Sequence, residues 1–240
     1  MAVRNESDII EQTLTHLVSQ GITLAILDSS TDDSFEICRR IVGGAGRVVR
    51  QLTDSFQWKT VLRKLYEMAL EMNPEWVLLT GADEFLESPY PNLALKDAIE
   101  SEAEKGYNLI QFNNFEFWPT RDDDTSEKDV RKRMRYYSWQ DDFQFRCWRV
   151  RPDIKMFAGH YPLFDNPGPV RVSPTKFVIR HYKIRSYEHG VRKVFDDRLP
   201  RFDGIERKEG WHVQYNNFKR DIEYFVKDSR SLTKYEEDGR

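Results

Sequence analysis

The chain has 240 residues and a formal net charge of −3, with 39% hydrophobic, 32% charged and 13% aromatic residues. A folded chain of this length buries roughly 70% of the surface its unfolded form exposes, so no disulfide or metal staple is needed; aromatics at this level exclude disorder. Apolar runs such as Leu24-Ala25-Ile26-Leu27 fall far short of the ~20 residues that a membrane-spanning helix requires.

Met1–Arg4 reads as the end of a strand, so short that the start is expected to lie inside a longer reading frame. Residues Ser7 to Gln20 place Ile9, Ile10, Leu14, Leu17 and Val18 at helical spacing, with Ser7 as cap and Gly21 as stop. Ile22–Leu27 is a continuous apolar run, the mark of a strand buried on both faces. After the polar loop Asp28–Asp33 come a helix over Ser34–Val42, a turn at Gly43–Gly46 and a strand over Arg47–Gln51. A long helix follows over Ser55–Met72, ended by Asn73-Pro74, and then a buried strand over Trp76–Thr80 that runs into Gly81-Ala82-Asp83-Glu84-Phe85. Beyond residue 90 the pattern predicts a helix over Leu93–Lys105 and a strand over Tyr107–Phe117. Arg121–Asp129 reads as a polar loop and Tyr136–Val150 and Lys176–Ile184 as strands. Helices are expected over Val191–Leu199 and Trp211–Ser229, before a frayed tail at Lys234–Arg240.

Strands alternating with helices predict a parallel sheet covered on both faces. In open sheets of this kind ligands bind at the carboxyl ends of the strands, and the polar clusters fall there: Asn5-Glu6, Asp28–Asp33 and Asp83-Glu84. Asp28, directly after a buried strand, is placed to accept hydrogen bonds from a base or ribose; closing its own loop is the plainer alternative. The adjacent carboxylates of Asp83 and Glu84 repel unless a cation or proton relieves them. Hard divalent cations take one or two carboxylates plus substrate phosphates, so Mg²⁺ or Mn²⁺ on a diphosphate suits them, with helix capping as the alternative.

The segments Val3-Arg4-Asn5-Glu6, Leu27-Asp28-Ser29-Ser30-Thr31-Asp32 and Trp76–Phe85 together resemble family 2 glycosyltransferases with the GT-A fold. The resemblance implies an α/β fold, a Rossmann-like, mixed and mostly parallel sheet flanked by helices in a single domain. Residues 1–200 would form the GT-A domain (nucleotide-binding half about 1–90, acceptor half about 91–200), and 201–240 a helical extension. It implies that Arg4, Asn5 and Glu6 open the nucleotide pocket, that Asp28 holds the nucleoside, and that Arg63 lies near the nucleotide. Asp83 would be the metal-binding aspartate of a D-x-D motif. Arg180-His181-Tyr182-Lys183 resembles the family's His-Tyr segment and Arg192-Lys193 the basic helix after it. His181 is then a further metal ligand, and His160 a second candidate for that role. The motif's first aspartate is Gly81 here. The donor would be a nucleotide sugar, by expectation a UDP-sugar, and the acceptor a carbohydrate, a lipid-linked group or a protein. Transfer would be metal-assisted and inverting, with a metal-independent or inactive GT-A protein, or a nucleotidyltransferase, as alternatives.

Charge is segregated along the chain: residues 131–193 carry 15 Lys and Arg against 5 Asp and Glu. Cations aimed at a departing nucleoside diphosphate stabilise the transition state, and Arg171, Lys176, Arg180, Lys183, Arg185, Arg192 and Lys193 are candidates; a solvated basic face is the alternative. An inverting transferase also needs a general base, for which Asp142 is chosen over Asp141 and Asp165. Trp118, Trp139 and Trp148 are candidates for stacking on an acceptor sugar, or for the core. The stretch Arg131–Tyr137 interleaves cations and aromatics in a way that also suits single-stranded nucleic acid, although the acidic strand ends argue against it. Cys38 and Cys147 are too few for a disulfide framework and read as free thiols in a reducing compartment. MAVRNESD lacks the apolar stretch of a signal peptide, so the expected location is cytoplasmic, or peripheral at a membrane.

Overall fold

The computed structural model describes residues 1–53, 55–151, 154–158, 161–164 and 168–236; the side chains of residues 140–143, 155–158, 161–164 and 214 lie outside that description. Helices and sheets are mixed, and the described chain divides into two compact units. The first comprises Met1–Leu52, Trp58–Asn114 and Asp141–Ile179, the second Thr53–Gln57, Phe115–Gln140 and Arg180–Arg240. Three strands, Leu109–Phe117, Tyr136–Arg149 and Val172–His181, each give one end to each unit, so the units interleave along the chain.

In the first unit, β1 (Ala2–Val3) pairs in parallel with β2 (Ala25–Asp28), and β2 with β3 (Arg47–Arg50). The helices between them, α1 (Ile10–Ser19) and α2 (Ser34–Val42), bury Ile10, Leu14, Leu17, Cys38 and Val42 at helical spacing. α2 has the bounds its sequence predicts, whereas α1 begins three residues later than expected. Its N-cap is Ile9, with no side-chain cap, because the Ser7 backbone N–H is held 3.3 Å from the Asp32 carboxylate in a separate turn. α3 (Trp58–Leu70) packs Leu65 and Met68 on Leu27, and Leu62 on Val77 and Leu79.

β4 (Trp76–Leu78) departs from expectation. Its described strand partner is antiparallel: β7 (Tyr136–Arg149), with Val77 opposite Trp148. It meets the parallel strands through a single bridge, Ala2 beside Gly81. Parallel pairing joins the three short strands, and isolated parallel bridges join Ala2 to Gly81, Phe56 to Phe202 and Thr120 to Lys227. β5 (Glu84–Glu87), α4 (Leu95–Glu104), β6 (Leu109–Phe117), β10 (Val172–His181) and the β7 end complete this unit. They bury Leu86, Leu95, Ile99, Ile110, Phe112, Cys147, Phe177 and Ile179 in one core. A short antiparallel pair, β8 (Ile154–Ala158) with β9 (Tyr161–Phe164), lies beyond β7 in the chain. Burial raises both cysteine thiols, Cys38 to about 12, so both are packing groups rather than nucleophiles.

The second unit is built on aromatic packing. α5 (Val130–Arg133) precedes the outer end of β7, and β11 (Thr233–Lys234) pairs with Tyr136 and Tyr137 there. Tyr235 stands edge-on to Phe115, Phe117 and Tyr137, so the start of the tail expected to fray is tied down. α6 (Tyr187–Val191) continues into a π-helical stretch at residues 192–198, which replaces the expected ordinary helix. After α7 (Gly204–Lys208), the helix expected over Trp211–Ser229 is instead a chain of 3-10 turns at 213–215, 222–224 and 229–231. The Asp228 carboxylate accepts from the Arg230 backbone N–H, the local side-chain competition that shortens helices. The core here is Trp118, Ile184, Val194 and Phe225. No helix among the described residues is long and apolar enough to cross a membrane.

Gly190 packs directly under the Phe225 ring, where a Cβ would overlap the ring. Replacing Gly190 by Ala is expected to destabilise the protein by about 1–3 kcal/mol through overpacking. The urea midpoint should fall with an unchanged slope.

Candidate functional site at the carboxyl ends of the parallel strands

Ala2 is the hinge of the site. It stands beside Leu27 on one side and Gly81 on the other, both in parallel register. Asp28 is the next residue after Leu27, and Asp83 lies two beyond Gly81. Asp28 is therefore level with Val3, the last residue of β1, and Asp83 lies two residues beyond the bridge, on lanes separated by about two strand spacings, roughly 10 Å.

The loops after β1 and β2 are joined by hydrogen bonds. The Asn5 side-chain oxygen accepts from the Thr31 N–H at 2.8 Å, and the Asn5 N–H donates to Ser30 Oγ at 3.0 Å. The Glu6 N–H donates to Ser34 Oγ at 2.9 Å, and Arg4 donates to the Ser29 carbonyl. Asn5 holds a left-handed backbone conformation, φ 53°, a position Asn tolerates better than most residues. Arg50 reaches the same loop, donating to the Ser30 carbonyl and lying 4.8 Å from the Phe35 ring centre. Sequence reasoning missed Arg50 and the serines; a lone cation at a strand end carries no local signal.

Asp28 is fully buried, and its carboxylate accepts from Ser30 N–H at 3.0 Å and Ser30 Oγ at 2.7 Å. In the described structure its carboxylate therefore closes its own loop. Burial raises its pKa above the ordinary aspartate range, against the lowering hydrogen bonds from Ser30 and the Arg50 charge. For Asp32, burial is also the largest influence, but hydrogen bonds from Ser34 and Ser7 together outweigh it and its pKa is lowered.

The turn at residues 81–84 separates its two acids. Glu84 is buried; one carboxylate oxygen accepts from the Gly81 N–H at 2.6 Å and the other pairs with the Arg146 guanidinium at 2.7 Å. Arg146 is itself buried and donates to Gln144. Glu84 is thus bound to a residue of β7 far along the chain, a partner no local pattern could have revealed. Asp83 is also buried, at 8% exposure. Gly81 is tight: a Cβ there would come within 3.1 Å of both the Asp83 carboxylate and the Glu84 side chain. A side chain in place of Gly81 would require the Asp83 and Glu84 side chains to give way by a few tenths of an ångström.

Arg63 is exposed on α3, in the first unit. Arg180, His181, Lys183, Arg192 and Lys193 belong to the second unit. There Arg180 lies over the Tyr235 ring, and Lys183 pairs with Glu116 and sits 4.9 Å from the Trp118 ring centre. Arg185 is buried against His189 and the Tyr182 carbonyl, Lys193 is buried, and Arg192 is exposed. Arg171 and Lys176 are in the first unit, Arg171 over the Tyr107 ring. Asp142 lies on β7, but its side chain, with that of Asp141, is outside the described residues, as are His160 and Asp165. Trp148 is core at 1% exposure, and Trp118 is buried between Lys183 and Lys227; Trp139 is half exposed, edge-on to Phe115. In the stretch considered for nucleic acid, Arg131 pairs with Asp129 and Arg135 donates to the Tyr235 carbonyl. A cavity of about 390 Å³ lies at the opposite ends of the strands and includes neither Asp28 nor Asp83 in its wall.

No family model matches the chain, and no curated protein matches it.

Two outcomes follow from this geometry. Arg146→Met strands a buried carboxylate and should cost about 3–5 kcal/mol, with Glu84→Gln in the same chain recovering part of the loss in urea melts. Because burial raises Asp28 in the folded state, its contribution to stability is full below the ordinary aspartate range. It declines as pH rises through the folded value. Asp28→Asn should therefore be more costly at about pH 4 than at about pH 7, read from denaturation midpoints at the two values.

Proposed function

We propose that the protein is a glycosyltransferase that takes a sugar from a nucleotide-sugar donor, a UDP-sugar by first expectation, and passes it to a carbohydrate, lipid-linked or protein acceptor. The observation that carries this reading is the shared position of Ala2 between Leu27 and Gly81, which sets two acidic turns over one strand end. That is where open α/β sheets bind their ligands. The sequence resemblance to family 2 glycosyltransferases over the same three segments supports it.

In this reading the loop held by Asn5, Ser30 and Thr31 faces the nucleoside, and Asp28 acts as a positioning residue that fixes the Ser30 turn. Glu84, fixed by Arg146 and the Gly81 amide, holds the shape of its turn, which leaves the metal contact of that turn to Asp83. A carboxylate with substrate phosphates is a sufficient ligand set for Mg²⁺ or Mn²⁺. Such an ion would supply charge neutralisation at the diphosphate as the sugar leaves. The chain's own part is to bind and orient the donor and to hold the turn rigid, so that little reorganisation accompanies transfer.

The test is a thermal-shift screen of nucleotide sugars with and without Mn²⁺. A true donor at a hundredfold excess over Kd stabilises by about 2.7 kcal/mol, a rise of several degrees in Tm. Asp83→Ala is expected to abolish that shift and the release of nucleoside diphosphate. Turnover that survives both Asp83→Ala and a chelator would overturn the metal role; the absence of any shift across UDP-, GDP- and dTDP-sugars would overturn the reading itself.

A further inference from the structure

The cavity of about 390 Å³ is walled by backbone on two sides. One wall is Ile22, Thr23, Leu24 and Ala25, the approach to β2; the other is Trp76, Val77, Leu78 and Leu79 of β4 and its continuation. Leu62, Leu65, Tyr66 and Ala69 of α3 close one face. Ile99 of α4 and Cys147 of β7 also line it. Met1 stands at its inner end.

Register explains the shape. Ala2 lies beside Leu27 and Gly81, so Met1 is level with Ile26 and Thr80. Counting back in parallel pairing, one residue ahead of Met1 would lie between Ala25 and Leu79. The second would lie between Leu24 and Leu78, the third between Thr23 and Val77, and the fourth between Ile22 and Trp76. These eight residues are the two backbone walls. The length of the lane is then about four strand residues, roughly 13 Å. Among the described pairings, β4 is bonded to β7 along one edge and to nothing but the Ala2 bridge along the other.

The Met1 amine already makes a strand's bond. It donates to the Ala25 carbonyl at 2.8 Å, while the Met1 carbonyl accepts from the Leu27 N–H at 3.0 Å. Burial pushes that amine down to about 5, although Cys38 and Glu84 draw it up. A peptide N–H would make the same bond with no charge to desolvate. The indole N–H of Trp148, buried and without a hydrogen-bond partner among the described residues, belongs to the same wall.

We propose that this cavity is the berth of an extended peptide segment joined to Met1, which lengthens β1 and inserts between β2 and β4, turning the three-stranded parallel sheet and β4 into one continuous sheet. Alternation gives its side chains. The first and third residues upstream share the face of Ala2, which packs with Leu27 and Leu65 against α3. The second and fourth share the face of Met1, which packs with Leu14 and Ile99. Both faces are apolar, so the segment is an apolar, β-branched run of about four residues, as a strand buried on both sides requires. This inference is independent of the proposed activity, since the lane lies at the other end of the strands from Asp28 and Asp83.

The test compares the full chain as it stands with two extended chains, one carrying Val-Ile-Val-Val ahead of Met1 and one carrying Gly-Ser-Gly-Ser. Hydrogen exchange, Tm and the fluorescence of anilinonaphthalene sulfonate are measured on each. The apolar extension is expected to slow exchange of the Trp76 and Leu78 amides, which face the lane because the alternate Leu79 N–H is already given to the Arg146 carbonyl of β7, by about tenfold or more, to raise Tm, and to abolish dye binding; the Gly-Ser extension should do none of these. If the extended chain fails to fold, acetyl-Val-Ile-Val-Val-amide added to the unextended chain gives the second reading, protection of the same amides. Unprotected amides in both formats would overturn the proposal. So would saturable binding of laurate to the folded, Val-Ile-Val-Val-extended chain with those amides still exchanging freely, which would make the cavity a small-molecule site.

Discussion

The architecture of the first unit depends on the backbone of two residues. Ala2 and Val3 form the whole of β1, yet Ala2 is the point at which the parallel strands and β4 meet. A parallel pair fixes the level of every residue on both lanes at once. The loop after β2 and the turn after β4 consequently follow residues level with the same strand, although their acids lie 55 positions apart in the sequence. If that bridge were lost, β4 would still be held by β7, but nothing described would set its level against β2.

Charge at the rim is managed by neutralising what must be buried. Glu84 has the Arg146 guanidinium and an amide; Asp28 has two donors from Ser30 and a raised pKa. Both are fixed by strong local bonds, and a carboxylate held this way serves geometry before chemistry. Asp83 is then the acid of the rim on which the proposed chemistry bears. The same logic accounts for the second unit, whose cations sit on aromatic faces or beside acids: Arg180 on Tyr235, and Lys183 and Lys227 on the two-cation Trp118 ring. Among the described residues of that unit, several cations of the basic stretch between residues 131 and 193 have such local partners.

Much of the first 90 residues was legible because the signals there are local. Continuous apolar runs mark β2 and β4, and the helix expected over Ser34–Val42 is α2. What failed depended on distant partners. Ser7 reads as a cap, but Asp32 of another loop holds its N–H. Asp83 and Glu84 read as a matched pair, but a guanidinium from β7 separates their roles. The segment Trp211–Ser229 reads as a helix, yet Tyr215, Phe218, Tyr224 and Phe225 reach one core through successive short turns. The basic motif at residues 180–193 was legible as composition only; its side chains are distributed by packing that no spacing rule encodes.

The central claim is that the turns carrying Asp28 and Asp83 serve one ligand. Paramagnetic broadening by Mn²⁺ in NMR spectra of the labelled chain tests it most directly. With a nucleotide sugar present, the amides of Asn5, Ser30, Thr31, Gly81 and Asp83 should broaden together, and far less with Mn²⁺ alone. Broadening confined to one of the two turns, or concentrated at residues remote from both, would contradict the account.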